Sequence, residues 1–365
     1  MNKQITKNIL IAAGGTGGHL FPALAVGKYL EKNYNCKLYF IGTSYRIESK
    51  KIPELGYDFT PTPINAFPGI SLKSIKWVID FLKSQRIATN LIKDKKIDAL
   101  ICAGAYLSVP PGLAASSMNI PIFLMESNVN LGKANKILLN KSQKIFTSWD
   151  NTESYIPDKS KVLLTGNPIR EEILNLPNKE HSLKKWNLED RLTVLIMGGS
   201  LGAKSINNEI VNKLNELSNI NANFIWQTGG KQNLEGMDLP SNLPSNILMT
   251  DFIDDMASVY SISDLIVSRS GATAVTEISA TGKASILIPM RGAANNEQYL
   301  NAKYLNDANA AILINDSNIS SELFPNLLEL INNETRRKEL SINISNIAKR
   351  NATKTIAEYI INHIK

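Results

Sequence analysis

Two glycine-rich runs and one histidine define the chemistry open to this chain. Gly14-Gly15-Thr16-Gly17-Gly18 follows the apolar run Asn8–Ala13, and Gly198-Gly199-Ser200-Leu201-Gly202-Ala203 follows a second apolar run, Leu192–Met197. A glycine turn between strand and helix lets the backbone approach a phosphate and aims the free amides of the helix N-terminus at it. The first run does not fit G-x-G-x-x-G, so it is a weak match to a dinucleotide fingerprint. One such loop can be a mere tight turn; two, one in each half, favour a ligand. His19 ends the first loop, and the other two histidines, His181 and His363, lie in polar, surface-like contexts. An imidazole, with an unperturbed pKa of about 6.5, is a general-base candidate at the mouth of such a loop; a positioning role fits as well.

A third segment is Ser268-Arg269-Ser270-Gly271-Ala272-Thr273-Ala274-Val275-Thr276-Glu277. Gly271 ends a buried strand, the small residues after it open a helix, and Glu277 falls one turn in. A carboxylate there can accept two hydrogen bonds from a ribose cis-diol, or it can merely complement the helix dipole. Asn295-Asn296-Glu297-Gln298 is a polar cluster before another helix. No His/Asp/Cys cluster has metal-ligand spacing, and Asp254-Asp255 alone is a poor metal site, so neither metal nor cofactor is expected.

The elements that must hold these residues alternate between strand and helix. Asn8–Ala13, Lys37–Ile41, Ala99–Ala103 and Ile120–Met125 read as buried strands, with a helix over His19–Leu30 that carries Pro22 in its first turn. The pattern restarts with Leu192–Met197, Asn223–Gln227, Leu265–Ser268 and Ser285–Pro289. Such βα alternation implies parallel sheets covered on both faces. Thr165-Gly166-Asn167-Pro168 is the turn-rich break between halves. The predicted domains are 1–166 and 167–340, and a helical tail over 341–365 is expected to return to the first.

Length and composition agree. The chain has 365 residues, 43% hydrophobic and 20% charged, which suits two soluble globular domains. No stretch is apolar enough to span a membrane, and the N-terminus lacks the pattern of a secretory signal. The only cysteines, Cys36 and Cys102, sit in strand-like contexts and read as buried free thiols, which fits a reducing cytoplasm. The net charge of +7 is uneven: 21 Lys and Arg face 11 Asp and Glu up to Gly166, against 19 and 22 after it. A basic first half points to an anionic partner, whether nucleic acid, a phosphorylated ligand or an acidic membrane face.

Taken together, Gly14–His19 with Pro22-Ala23, Gly198–Ala203, Asp251-Phe252-Ile253-Asp254-Asp255-Met256, and Ser268–Glu277 with Gln298 resemble the MurG family, bacterial UDP-N-acetylglucosamine (UDP-GlcNAc) transferases of glycosyltransferase family 28. The likeness runs over nearly the whole chain, in the same motif order. It implies a GT-B fold: α/β, two Rossmann-like domains whose parallel sheets face across a cleft. It implies transfer of GlcNAc from UDP-GlcNAc to the C4 hydroxyl of the MurNAc in lipid I (undecaprenyl-pyrophosphoryl-MurNAc-pentapeptide), giving lipid II with inversion. The implied donor contacts are Thr16, Gly17, Gly18, Asn128, Arg170, Ser200, Ile253, Ala272, Thr273, Ala274, Val275, Thr276, Glu277 and Gln298. Arg170 would neutralise the pyrophosphate and Ile253 would offer backbone bonds to uracil. His19 is the first candidate for the base, Glu126 the second.

The family's usual His-Glu-Gln before Asn128 is Met125-Glu126-Ser127 here, its Gly-Gly-Tyr-x-Ser is Gly104-Ala105-Tyr106-Leu107-Ser108, and an acidic residue after the second strand is replaced within Gly42-Thr43-Ser44-Tyr45. These departures bear on the base, not on donor binding.

An acceptor with a long lipid tail brings the enzyme to a membrane, so the anionic partner is taken to be the cytoplasmic face of the cell (inner) membrane, bound peripherally, and not nucleic acid. Over Ser71–Ile92, Ile75, Trp77, Val78, Phe81 and Leu82 lie among Lys73, Lys76, Lys83 and Arg86, a mixture suited to an interfacial helix. A fully buried helix with snorkelling lysines is the alternative. Two other readings are a UDP-sugar 2-epimerase, which needs no acceptor site, and a non-enzymatic nucleotide-sugar binder.

Overall fold

The computed structural model describes residues 6–70, 73–199 and 201–364, which divide into two units, Met1–Arg170 with Lys349–Lys365 and Glu171–Ala348. In the first unit, short apolar runs become strands β1 (Asn8–Ala12), β2 (Lys37–Thr43), β3 (Asp58–Thr62), β4 (Ala99–Cys102), β5 (Ile122–Glu126), β6 (Lys144–Thr147) and β7 (Val162–Leu164). They form one parallel sheet in the order β3-β2-β1-β4-β5-β6-β7. β1 and β4 are apolar at almost every position because both faces are covered. One face packs Leu10, Ile41, Leu100 and Leu124; the other packs Ile9, Ile11, Phe40 and Phe123.

The second unit repeats the scheme with β8 (Thr193–Met197), β9 (Asn223–Gln227), β10 (Ile247–Thr250), β11 (Leu265–Ser268), β12 (Ala284–Leu287) and β13 (Ile312–Leu313). These pair in parallel as β10-β9-β8-β11-β12-β13. In both sheets the chain first winds one way from the central strand and then crosses over to wind the other way. Each sheet therefore has a switch point, between β1 and β4 and between β8 and β11, where the strand ends leave a crevice for ligands.

Three expectations need correction. Helix α1 spans Gly17–Tyr34, so Pro22 stands in its second turn and lacks the amide that would bond the Gly18 carbonyl. The stretch 341–365 is not one helix. Glu334–Ile347 belongs to the second unit, Ala348 is extended, and Ala352–His363 belongs to the first unit, packed on α1. There Ile356, Ala357 and Ile360 are fully buried with Ile9 and Ile11. Lys349 closes on Gly166 so tightly that a Cβ at Gly166 would lie 2.3 Å from the Lys349 Cβ. Finally, the first unit runs on to Arg170, past the break expected at Gly166.

Candidate functional site

The first crevice is built by the loops after β1, β2, β4 and β5. Thr16 caps α1 in extended conformation and is exposed, while Gly17, Gly18 and His19 form the first helical residues and are partly accessible. The His19 Nδ1 is enclosed and has no hydrogen-bond partner among the described residues. Burial of the ring lowers its pKa, against the Ala103 carbonyl after β4, which acts to raise it. The imidazole is therefore neutral near pH 7, the form a general base requires.

Glu126 is a different matter. It is 4% exposed; Oε1 accepts from the Asn128 amide at 3.1 Å, and Oε2 accepts from the Gly132 amide at 2.8 Å and Asn135 Nδ2 at 2.9 Å. Both oxygens are engaged in holding the loop after β5, which makes it an anchor rather than a ready proton acceptor. Asn128 is buried on the same loop, its carbonyl accepting from Thr152 Oγ1 at 3.2 Å. Ser127 donates to Asn167 Oδ1 at 3.0 Å, and Arg170, partly buried, ends the first of the unit's two chain segments.

Two features here escape sequence reading. The Tyr45 and Tyr106 hydroxyls meet at 3.0 Å, joining the loops after β2 and β4 on either side of β1, with the Arg46 guanidinium 5.3 Å from the Tyr45 ring centre. Burial, then the hydrogen bond to Tyr45, raise the Tyr106 pKa and keep its phenol neutral. The second feature is Glu48, a fully buried carboxylate in helix α2 (Glu48–Glu54). No spacing rule links it to the glycine loop, because the contact depends on the tertiary position of α2.

In the second unit the glycines divide by task. A Cβ at Gly202 would lie 2.0 Å from the Thr228 carbonyl oxygen, so that glycine serves packing. Gly199, at φ +82°, has open space where a side chain would stand, as has Gly15 at φ +80° in the first loop. These are the positions at which each loop can admit a ligand group. Ser200 lies outside the described residues.

After β11, Gly271 caps the helix Ala272–Thr281. Ala272, Thr273, Ala274 and Thr276 are partly accessible, and Thr276 Oγ1 is turned back on the Ala272 carbonyl at 2.7 Å. Val275 is fully buried and Ile253 is 2% exposed, so both side chains belong to the core and only their backbones can meet a ligand. Glu277 is 5% exposed, with the Tyr260 hydroxyl donating to Oε2 at 3.3 Å. It is the sixth residue of its helix, beyond the first turn where the dipole acts most, which weakens the dipole reading. Gln298 accepts from the Met290 amide at 2.9 Å through Oε1, and its carbonyl accepts from Ser270 Oγ at 2.8 Å. Arg269, missed in the sequence, ties the site's frame together: it donates to the Ile288 and Pro289 carbonyls, to Ser205 Oγ and to Asp316.

Among the described residues no group of three or more His, Cys, Asp and Glu is placed to hold a metal. Cys36 and Cys102 are buried and free; burial, chiefly, pushes the Cys36 thiol up to about 11.

Helix α3 (Lys73–Asp94) shows two apolar faces. Trp77 and Phe81 pack on the core, with Trp77 Nε1 donating to the Asn65 carbonyl at 2.8 Å and its ring 5.1 Å from Phe67. Of the five residues expected at the membrane, Trp77 and Phe81 are thus half-buried against the core, whereas Ile75, Val78 and Leu82 are exposed. Ile75, Val78, Ile79 and Leu82 form the outward stripe, 66%, 48%, 47% and 58% exposed, beside exposed Lys76, Lys83 and Arg86. Ser71 and Leu72 lie outside the described residues. No described helix is long and apolar enough to cross a membrane.

Comparison with known proteins gives consistent results. Residues 9–147 match the glycosyltransferase family 28 N-terminal domain and residues 193–358 its C-terminal domain. A Bacteroides thetaiotaomicron protein named UDP-N-acetylglucosamine–N-acetylmuramyl-(pentapeptide) pyrophosphoryl-undecaprenol N-acetylglucosamine transferase is 35% identical, over 99% of this chain and 98% of its own. The crystal structure of Acinetobacter baumannii MurG superposes with a TM-score of 0.78 at 28% identity, covering 98% of this chain and 99% of that one. A Neisseria meningitidis UDP-GlcNAc 2-epimerase bound to UDP-GlcNAc superposes with a TM-score of 0.66 over 98% of this chain and 100% of that one; at 15% identity this likeness concerns the fold alone.

Proposed function

This chain belongs to glycosyltransferase family 28, and we propose from that membership that it moves GlcNAc from UDP-GlcNAc to the C4 hydroxyl of MurNAc in lipid I, forming lipid II and UDP for peptidoglycan synthesis. It is an inverting N-acetylglucosaminyltransferase of GT-B fold. The observation that carries this is a full-length match to relatives named for the reaction, in a chain whose two glycine loops occupy the switch points of two parallel sheets.

Inversion requires one displacement through an oxocarbenium-like transition state. His19 takes the acceptor proton, since its imidazole is neutral while the Glu126 oxygens are engaged. Preorganised amides stabilise the charge that develops on departing UDP. Donor contacts proposed in the first unit are Thr16, Gly17, Gly18, Asn128 and Arg170. Those in the second are Ser200, the backbone of Ile253, Ala272 to Glu277, and Gln298, with Glu277 on the ribose. The outward stripe of α3 and its basic neighbours dock on an anionic membrane surface, where the lipid-linked acceptor resides.

The test is incubation of pure protein with labelled UDP-GlcNAc and a short-chain lipid I analogue. Label should move to the analogue and only in its presence. Acceptor-independent turnover to the 2-epimer would replace this reading with an epimerase, and tight UDP-GlcNAc binding without transfer would leave a binding protein.

A further inference from the structure

Sugar transfer assigns no step to Glu48, yet this carboxylate is fully buried at the carboxyl edge of the first sheet. Oε2 accepts from the Gly15 amide at 2.9 Å, and Oε1 accepts from the Thr43 amide at 2.9 Å and Thr43 Oγ1 at 2.7 Å. One side chain thereby ties the loop after β1 to the carboxyl end of β2. The surrounding glycines accommodate it: a Cβ at Gly14 would lie 2.3 Å from the Glu48 carboxyl carbon, and one at Gly42 would lie 2.7 Å from its Cγ. Gly14 therefore makes room for a protein carboxylate, not for a phosphate. The Gly15 amide is likewise engaged already, so any ligand anion at this loop must rely on other donors.

A buried carboxylate persists only when hydrogen bonds compensate its lost hydration, and here all three donors come from the two segments it joins, Gly15 in the loop after β1 and Thr43 at the end of β2. Gly15 and Thr16 lead directly into α1, so fixing Gly15 fixes the start of the helix and the placement of His19. We propose that Glu48 is the positioning residue of the first glycine loop, holding Thr16 to His19 in reactive geometry. It acts chiefly on the transfer step: most of the proposed donor contacts lie in the second unit, so loosening Thr16 to Gly18 costs UDP affinity far less than it costs kcat. The kinetic part rests on the transferase reading above; the structural part does not.

Glu48→Gln tests this. It keeps shape but turns one oxygen into a donor, which must then face the amide of Gly15 or Thr43. Expected are a kcat lower by about tenfold or more, UDP affinity within about twofold of wild type, and about tenfold faster hydrogen exchange in the peptide covering Gly14–His19, the change that losing one hydrogen bond predicts. Thr43→Val removes a single donor; it should shift the exchange in the same direction by less, and it serves if the Gln variant does not fold. Wild-type kcat in Glu48→Gln, an equal loss of UDP binding, or unchanged exchange in both variants would overturn the proposal. If wild-type protein transfers nothing to the lipid I analogue, the transferase reading falls, and the exchange measurement still decides whether Glu48 holds the loop.

Discussion

Asn135 Nδ2 stands 2.9 Å from Glu126 Oε2 and 3.0 Å from the Met125 carbonyl, so one amide fastens both the carboxylate and the strand end that carries it. Together with the Gly132 amide this arrangement shapes the turn from β5 into the loop that bears Asn128.

If Glu126 anchors that loop, Glu126→Gln should lower stability by about 1–3 kcal/mol, the usual effect of leaving a buried partner unsatisfied. Thermal melting and the pH–rate profile check it together. The melting temperature should fall while the acid limb of the profile keeps its position. Asn135→Ala should resemble it, and the double variant should be less than additive, as expected for side chains sharing a bond. A shifted acid limb would return Glu126 to the role of base.

His19→Ala should reduce turnover by about 10²–10⁴-fold, the range for a lost general base, with UDP-GlcNAc affinity nearly unchanged. Steady-state kinetics and calorimetry with UDP measure the two quantities. Near wild-type turnover would remove His19 from that role.

The lowered pKa of His19 also has a stability consequence. Above the unfolded-state value of about 6.5 both states hold the ring neutral, and its titration contributes no pH dependence. As pH falls below that value the unfolded chain binds a proton that the native state resists, so stability declines until the folded pKa is passed. Melting temperatures between about pH 7.5 and 5 should show this slope in wild type and a shallower one in His19→Gln. Equal slopes would contradict the burial assigned to the ring.

Glu277→Ala should weaken UDP binding, and wild-type protein should prefer UDP to its 2′,3′-dideoxy form by about 1.5–3 kcal/mol per hydroxyl, the range for hydrogen bonds to a charged group. Titration calorimetry with both ligands decides. Indifference to the missing hydroxyls would end the ribose role and leave Glu277 as a packing partner of Tyr260.

For the membrane, Ile79→Glu and Leu82→Glu should abolish sedimentation with phosphatidylglycerol vesicles and keep the circular dichroism spectrum, because both side chains point outward. Binding by wild type should rise with anionic lipid and fall with salt, each basic residue near the surface contributing about 1 kcal/mol of screened attraction. Trp77→Glu should instead lower the melting temperature, since its ring packs on Phe67 and Phe81. Wild-type indifference to the vesicles would remove the docking role from α3.

Local chemistry was legible without coordinates wherever it is written in neighbouring residues. Apolar runs such as Asn223–Gln227 and Leu265–Ser268 are strands at those bounds, because a strand buried on both faces must be apolar throughout. The glycine loops and the segment Ser268–Glu277 likewise announce a turn into a helix. Strands β3, β7, β10 and β13 are not legible in the sequence because they are polar, short or half-covered and their burial pattern is weak, while β6 is buried but only four residues long and opens on a lysine. What only the tertiary structure decided is which side chain meets which. Periodicity marks α3 as apolar on many sides, but the sheet alone determines that Trp77 and Phe81 turn inward while Ile79 and Leu82 face out. Glu126 in the sequence is a free carboxylate; in the fold, donors from residues up to nine positions away engage both its oxygens. Glu48 is 33 residues from Gly15 and meets it only because β1 and β2 lie side by side. Hydrogen bonds of this kind are short-ranged in space and unrestricted in sequence, which is why they are settled by the packing of elements and not by the order of residues.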